Sequence, residues 1–337
     1  MIYPKFLKKG NTIGVPAPSA GGGEEKYKIK YGAAAKKLKE MGYNLVLSKN
    51  LYNCEKGRSA SAKERGEEIN QMFEDENVDF ITAAAGGSFI VECLPYIDFE
   101  KIQKNPKFFQ GFSDPTGIIF PLTTKYDIAT IYGKNFGSYG MENYSRDIEE
   151  NLKIISGDLV NQESYEMYEG TWDENASPTG GYNLTDKVEW KVLNGKEAHI
   201  SGRVIAGCMD VIVNLAGTRF DGTKEFCERY KNDGIVWIFD VCDFTKEVLI
   251  CYLWQLNELG YFKNAKGIVF GRCGNDESYC GYTMEEALQD SVISKLGIPI
   301  VYDADITHKK PNMSIINGSI INIDVKNGKG IISQSCY

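Results

Sequence analysis

The run Lys107-Phe-Phe-Gln-Gly-Phe-Ser-Asp-Pro-Thr116 joins an apolar strand pattern to the start of a helix, with a serine at the junction. Three phenylalanines give the predicted strand its apolar character. Pro115 falls where the first turn of a helix tolerates a proline. A sharp turn of this kind presents a serine hydroxyl at the carboxyl end of a sheet. Pro115 replaces the second glycine of Gly-x-Ser-x-Gly, however, and Ser-Asp-Pro is also an ordinary helix N-cap. The run alone therefore nominates Ser113 as a nucleophile without establishing it.

Strand patterns alternate with helix patterns on both sides of this run. The predicted strands cover residues 12–15, 43–47, 78–84 and 128–132, and the predicted helices cover residues 24–41, 62–75 and 116–124. This alternation predicts an α/β fold with a doubly wound, mostly parallel N-terminal sheet. Ligands of such sheets bind at the carboxyl ends of the strands, where Gly86-Gly87 and Ser113 both fall.

The amino-acid composition changes near the middle of the chain. At 337 residues the chain exceeds the usual size of one core, which predicts two domains. Residues 157–186 mix Tyr, Glu, Gly, Asn and Pro, with turns predicted over residues 172–181. We therefore expect a nucleophile domain over residues 1–156, a connecting segment over 157–186 and a smaller C-terminal α/β domain over 187–337. The connection is either a surface hairpin or a loop that overhangs the site and shapes its specificity.

The C-terminal domain is predicted from a second set of patterns. Strands are expected over residues 235–239, 267–270, 299–302 and 320–325, and helices over residues 246–259 and 283–296.

Composition excludes several classes of protein. A net charge of -8 argues against a nucleic-acid binder, because phosphate contacts need clustered Lys and Arg. No run approaches the roughly 20 apolar residues of a membrane helix. The first residues lack the apolar stretch of a signal peptide, so we expect a cytoplasmic protein without membrane or nucleic-acid partners.

The cysteines and histidines indicate neither a disulfide framework nor a metal site. The nine cysteines are irregularly spaced, and the apolar neighbours of Cys93, Cys208, Cys242 and Cys251 predict buried, reduced thiols. Two histidines exclude a His-rich metal site, and no carboxylates cluster at ligand spacing. We expect no cofactor.

A serine nucleophile needs a base, and histidine is the usual one. His199 lies in a polar stretch beside a strand, where a solvated or core-edge histidine is the better interpretation. His308 follows an apolar strand and precedes Pro311, which places it on a loop at a strand end. A lone loop histidine is more often structural, so the residues alone leave its role open.

Several stretches of the chain, taken together, resemble the LD-carboxypeptidase family of serine peptidases in order and spacing. They are residues 86–100 with the Asn105-Pro-Lys and Ser113 segments, residues 11–20, 207–215, 217–222 and 305–308. The resemblance covers nearly the whole chain. The family includes murein tetrapeptide carboxypeptidases and microcin C immunity hydrolases, and the resemblance also implies a homodimer.

The resemblance implies a triad of Ser113, His308 and an acid. Relatives carry Glu where this chain has Asp240, whose side chain is shorter by one C–C bond, about 1.5 Å. Asp is the ordinary partner of His in other serine hydrolases, but a misplacement of about 1 Å can cost a large factor in rate. Three interpretations stay open: Asp240 works in a shifted backbone, Asp243 replaces it, or the enzyme is weak or inactive. Thr307 also stands where relatives have Gly.

The resemblance further implies an oxyanion hole made by the backbone N–H groups of Gly87 and Asp114. It implies substrate contacts by Gly86 and Ser88. The two adjacent glycines also suit a tight strand-to-helix turn that needs no Cβ, and the two roles are compatible.

The substrate is one of two kinds of amide. The first is an L,D-murein peptide that loses a terminal D-Ala, and the second is an aminoacyl or peptidyl nucleotide antibiotic. The stretch from Tyr165 to Trp172 offers aromatic surface for a nucleobase, although packing explains it equally well. A rival interpretation is a catalytically impaired homologue that binds a carboxylated peptide. Asp240 and Thr307 favour that rival, and the presence of both Ser113 and His308 opposes it.

Overall fold

The computed structural model describes residues 1–171 and 176–337, so the first part of the predicted turns over 172–181 lies outside the described residues. The chain divides into two compact units. The first consists of Met1–Asp158 and Asp173–Gly181, and the second of Leu159–Trp172 and Tyr182–Tyr337.

The first unit alternates strands and helices, as the sequence predicts. In chain order its elements are β1 (Thr12–Val15), α1 (Glu25–Glu40), β2 (Asn44–Leu47), α2 (Ala62–Glu74), β3 (Phe80–Thr82), α3 (Phe99–Lys104), β4 (Phe108–Gly111), α4 (Thr116–Thr124), β5 (Thr130–Tyr132) and α5 (Arg146–Ile155).

The strands of the first unit form a parallel sheet in the order β2-β1-β3-β4-β5. Every residue of β3, β4 and β5 is buried, as expected for strands of a parallel sheet covered on both faces. Residues that favour helix N-termini lie at the starts of two helices: Ser61 caps α2 in a capping box with Glu64, and Pro115 precedes α4. The carboxyl ends of β1, β3 and β4 therefore open into loops at one edge of this sheet.

The second unit contains more strands than the sequence predicts. In chain order its elements are β6 (Gln162–Glu163), β7 (Met167–Tyr168), β8 (Asp186–Lys187), β9 (Lys191–Val192), β10 (Glu197–Cys208), α6 (Met209–Leu215), α7 (Thr223–Arg229), β11 (Ile235–Asp240), α8 (Lys246–Glu258), β12 (Ala265–Gly271), α9 (Met284–Asp290), β13 (Ile300–Ala304), β14 (Ile315–Asn317), β15 (Ile320–Lys326) and β16 (Lys329–Ser335).

The large sheet of the second unit is mixed, in the order β6-β16-β15-β10-β11-β12-β13-β9. Strands β10 to β13 run parallel, and antiparallel strands extend the sheet on both sides. Strands β7 and β8 form a separate hairpin. Two α/β units, the first with a parallel sheet, confirm the predicted fold class.

Three details differ from the sequence-based expectations. The second unit is as long as the first rather than smaller, because part of the segment 157–186 belongs to it and supplies β6 to its sheet. The helix expected over 283–296 stops at Asp290, since Ser291 has extended backbone angles before a short 3-10 helix. Cys251 is exposed and Cys242 is only partly buried, so the burial predicted for Cys251 is wrong. The domain limits at 156 and 187 stay predictions, because compact units need not fold alone.

No helix in the described part of the chain is both long enough and apolar enough to cross a bilayer.

Candidate active site

Ser113 occupies the turn between β4 and α4 in a conformation that few side chains adopt. Its φ is 69°, in the left-handed region that costs energy for residues other than glycine. The turn is tight, because a Cβ on Gly111 would overlap the ring of Pro115. The Ser113 carbonyl accepts the first helical hydrogen bond, from Thr116 N at 2.9 Å. The geometry is that of a nucleophile elbow in which Pro115 takes the position of the second glycine.

Side chains at the end of the neighbouring strand hold this elbow. The Asn135 amide donates to the Phe112 carbonyl at 3.1 Å and accepts from the Phe112 N–H at 2.9 Å. The Ser113 N–H donates to the Tyr132 hydroxyl at 3.3 Å. The backbone that leads into the serine Cα is thus held by residues in and after β5.

The loop after β3 brings Gly86 and Gly87 to the elbow. A Cβ on Gly86 would lie 3.1 Å from Ser113 Cβ and 3.3 Å from Ser113 Oγ. Gly87 has a φ of 152°, and a Cβ there would overlap Ser19 Oγ. Gly87 and Ser88 are exposed. Among the described residues, the N–H groups of Gly87 and Asp114 meet no acceptor, which leaves two donors at the elbow for a ligand.

In the second unit, His308 pairs with the acid at the end of β11. His308 Nδ1 lies 2.9 Å from Asp240 Oδ1, and the Asp240 side chain is fully buried while that of His308 is 22% exposed. A carboxylate only accepts, so Nδ1 carries the proton of a neutral imidazole and Nε2 is left as the basic nitrogen. Asp243 is exposed, and its N–H donates to Asp210 Oδ1 at 2.8 Å.

A buried ion pair supports the His308 loop. Asp305 accepts from Arg272 Nη1 at 2.6 Å, from Trp190 Nε1 at 2.8 Å and from the Tyr165 N–H at 3.1 Å. Burial raises the pKa of Asp305, and the Arg272 charge opposes that shift. The loop is thus anchored three residues before His308.

Thr307, where the family resemblance implies glycine, fits the loop through its side chain. Its buried hydroxyl donates to the Arg272 carbonyl at 2.7 Å and accepts from the Lys309 N–H at 3.0 Å. These bonds span the residue before and the residue after His308 and tie the loop to the end of β12.

His308 faces a cavity of about 450 Å³ within the second unit. Its lining residues are Glu169, Gly170, Cys242, Asp243, Gly274, Asn275, Glu277, His308 and Lys309. The cation of Lys309 is paired with Asp276 at 2.6 Å. Sequence reasoning missed Glu169 and Lys309 as lining residues, although Lys309 directly follows His308.

The connecting segment reaches this cavity through a backbone contact. The Glu169 N–H donates to the Lys310 carbonyl at 2.7 Å, so the β7–β8 hairpin formed by this segment contacts the loop that follows His308. Tyr165 is buried, so it offers no stacking surface for a nucleobase, and the Tyr168 ring packs on the Arg272 guanidinium 4.4 Å from its centroid. Trp172 lies outside the described residues.

The buried cysteines and His199 are less suited than Ser113 and His308 to act as nucleophile and base. Burial raises the pKa values of the Cys208 and Cys242 thiols, which disfavours the nucleophilic thiolate. His199 is exposed and pairs with Asp324 at 2.7 Å on the strand surface. In residues 1–171 and 176–337, no three His, Cys, Asp or Glu side chains converge as metal ligands.

Two family models match the chain. The model of the LD-carboxypeptidase N-terminal domain matches residues 13–133, and that of the LD-carboxypeptidase C-terminal domain matches residues 201–323. A probable murein peptide carboxypeptidase of Bacillus subtilis is 27% identical over 320 residues, covering 94% of this chain and 89% of the relative. The microcin C7 self-immunity protein of Escherichia coli is 25% identical over 331 residues, covering 95% and 92%.

Solved structures share the fold at lower identity. An MccF-like protein from Bacillus anthracis superposes with a TM-score of 0.83 at 24% identity and full coverage of both chains. The microcin C7 self-immunity protein in complex with aspartyl sulfamoyl adenosine has a TM-score of 0.81 at 22% identity, with 100% of this chain and 99% of that one covered.

Proposed function

This chain belongs to the LD-carboxypeptidase family, and we propose that it is a serine carboxypeptidase-type amide hydrolase whose catalytic triad is Ser113, His308 and Asp240. Proteins similar to it include a probable murein peptide carboxypeptidase and a microcin C7 self-immunity protein whose structure holds aspartyl sulfamoyl adenosine. A serine hydrolase of this family therefore acts on one of these two substrate classes.

The observation that carries the proposal is the 2.9 Å contact between His308 Nδ1 and the buried carboxylate of Asp240. A buried acid on Nδ1 fixes the imidazole tautomer and stabilises the imidazolium that forms during catalysis. The shorter aspartate reaches His308, which supports Asp240 rather than Asp243 as the orienting acid.

In the proposed reaction, Ser113 Oγ attacks the carbonyl carbon of the scissile amide while His308 Nε2 takes the hydroxyl proton. The tetrahedral intermediate collapses to an acyl-enzyme, and His308 gives that proton to the leaving amine. A water molecule then attacks the ester, again with His308 as base, and the serine is restored.

The unbonded N–H groups of Gly87 and Asp114 support an oxyanion hole at the elbow. Donors aimed at the position of the developing negative charge stabilise the transition state more than the substrate. Gly86 and Ser88 flank Gly87, and we assign them to substrate contacts.

The test is a mass-spectrometric release assay that compares the wild type with Ser113→Ala. The panel holds an L,D-muramyl tetrapeptide, its all-L analogue and an aminoacyl sulfamoyl adenosine. We expect the wild type to cleave one class and Ser113→Ala to lose that cleavage, because the variant lacks the attacking hydroxyl. Ser61→Ala, which removes an exposed helix cap in the same unit, should keep full activity.

An unchanged rate in Ser113→Ala would overturn the triad. No cleavage by folded wild type would instead favour the impaired homologue that binds a carboxylated peptide, and calorimetry with an uncleaved muramyl tetrapeptide would then measure that binding.

We also propose that the protein is a cytoplasmic homodimer. Sedimentation equilibrium at micromolar concentration is expected to give twice the chain mass of 37.7 kDa, and a monomer under those conditions would reject the dimer. Fractionation of the native host should recover the protein with cytoplasmic markers, and its recovery with secreted or membrane fractions would reject that location.

A further inference from the structure

The Asp114 side chain has no part in the proposed chemistry, which uses only its backbone N–H, yet it is buried beside the elbow. Only 4% of Asp114 is exposed. Its Oδ2 accepts from the Ser19 hydroxyl and from the Ile90 N–H at 3.0 Å, and the Phe89 N–H also bonds to this carboxylate. A buried carboxylate that accepts this many hydrogen bonds holds the donor groups in place.

The donors come from two different loops. Ser19 lies in the loop after β1, whereas Phe89 and Ile90 lie in the loop after β3, shortly after Gly87. Asp114 itself belongs to the elbow after β4. One carboxylate therefore ties together three loops at the carboxyl edge of the first unit's sheet.

A buried cation holds the same two loops by their carbonyl groups. Arg65 is 1% exposed, and its Nη1 donates to the Pro18 carbonyl at 2.9 Å and to the Phe89 carbonyl at 3.0 Å. Burial raises the pKa of Asp114, and the hydrogen bonds from Ser19, Ile90 and Phe89 and the Arg65 charge oppose that shift. The loops are thus held by the Asp114 carboxylate, at the Ser19 hydroxyl and at the N–H groups of the second loop, and by the Arg65 guanidinium at one carbonyl of each loop.

Gly87 lies close to the groups that Asp114 and Arg65 hold, and it packs tightly against Ser19. The Gly86 carbonyl accepts from the Ala20 N–H at 3.2 Å, and there is no room for a Cβ between Gly87 and Ser19 Oγ. A displacement of Ser19 or Ile90 would consequently displace Gly87. The position of the Gly87 N–H relative to Ser113 depends on the carboxylate that holds both neighbours.

We propose that the Asp114 carboxylate is a positioning group that aligns the Gly87 N–H with the Ser113 hydroxyl. The inference rests on the proposed function, because alignment matters only if an oxyanion forms there. A displacement of about 1 Å costs roughly 10²-fold in rate, comparable to the loss of one oxyanion donor.

The kinetic test compares Asp114→Asn with a matched control, Glu68→Gln. Glu68 is also buried in the first unit and also accepts from one serine hydroxyl (Ser48, 2.6 Å) and one backbone N–H (Ala17, 3.0 Å). Within the described part of the chain it has no hydrogen bond to the loop that carries Gly87. For the panel substrate that the wild type cleaves, Asp114→Asn should lower kcat by about 10- to 100-fold with little change in KM. Glu68→Gln should leave kcat near the wild-type value at equal or greater loss of thermal stability.

Amide hydrogen exchange provides a readout that needs no activity. In Asp114→Asn, peptides covering residues 86–93 should exchange faster than in the wild type, and in Glu68→Gln they should be unchanged. Ser19→Ala, which removes one donor and keeps the carboxylate, should show a smaller increase and a smaller fall in kcat.

The possible results separate the two hypotheses. Equal kcat in Asp114→Asn and Glu68→Gln, with wild-type exchange over residues 86–93, would overturn the positioning role and leave the hydrolase intact. Serine-independent cleavage, or none, would overturn the proposed function, while hydrogen exchange would still show whether Asp114 holds the loop.

Discussion

Two regions of the second unit hold a histidine against an aspartate, and the two pairs differ in burial far more than in distance. His308 and Asp240 are 2.9 Å apart, and their side chains are 22% and 0% exposed. His199 and Asp324 are 2.7 Å apart, but their side chains are 68% and 64% exposed. A solvated pair of this kind contributes little, whereas a buried acid orients its partner. Contact distance alone would rank the wrong pair first.

The surroundings of the two pairs explain this difference. Asp240 is the last residue of β11, an inner parallel strand. The hydrogen bonds of Asp305 and Thr307 to Arg272, in the same unit, anchor the His308 loop. His199 and Asp324 are opposite each other on the antiparallel strands β10 and β15, on an open face. The buried pair is held in place by the fold, whereas the exposed pair is a cross-strand surface contact.

The largest expected effect comes from removing the two histidines in turn. His308→Ala should lower kcat by about 10⁴-fold or more, because the serine loses its base. His199→Ala should leave kcat within about twofold, since an exposed ion pair is worth little. Steady-state kinetics on the cleaved panel substrate makes the comparison, and equal losses in the two variants would remove His308 from the triad.

A smaller effect is expected when each aspartate is lengthened. Asp240→Glu adds about 1.5 Å to a fully buried side chain already in contact with His308, so kcat should fall by about 10- to 100-fold. Asp324→Glu makes the same change on the surface and should leave kcat unchanged. A rate increase in Asp240→Glu would instead show that the native aspartate impairs an enzyme built for glutamate.

The elbow is the part of the site that the sequence predicts best, because its determinants are local. The helix predicted over 116–124 is α4 as observed, and the phenylalanine-rich run before Ser113 is β4. An apolar run, a turn and a proline lie within ten residues, and each acts on its neighbours through backbone geometry.

The lining of the cavity was not predictable from the sequence, because it depends on contacts between distant residues. Glu169 reaches the cavity through its bond to Lys310, and β6 pairs with β16 near the end of the chain. Strands as short as β6 and β9 carry no periodicity to recognise. The sequence also leaves the acid partner of His308 open between Asp240 and Asp243, because the reach of the shorter Asp240 side chain depends on how the fold places a residue 68 positions away.

The smallest expected effect tests whether the loop of the buried pair needs Thr307. Thr307→Val keeps the side-chain volume and removes a hydroxyl that bridges the Arg272 carbonyl and the Lys309 N–H. Leaving these groups without their partner should cost about 1–3 kcal/mol of unfolding free energy and lower kcat only a few-fold, because Asp240 still orients His308. Denaturant unfolding and steady-state kinetics measure the two quantities.

The control for Thr307→Val is Thr124→Val in the first unit, which also removes a fully buried hydroxyl that donates to a carbonyl at 2.8 Å. It should destabilise the protein without changing kcat, because Thr124 lies at the far end of α4 from Ser113. If both variants lower kcat equally, the loss reflects general destabilisation, and the Thr307 hydroxyl does not act through His308. If only Thr307→Val lowers kcat, the Thr307 hydroxyl helps to hold the histidine, and the buried pair depends on its loop as well as on its acid.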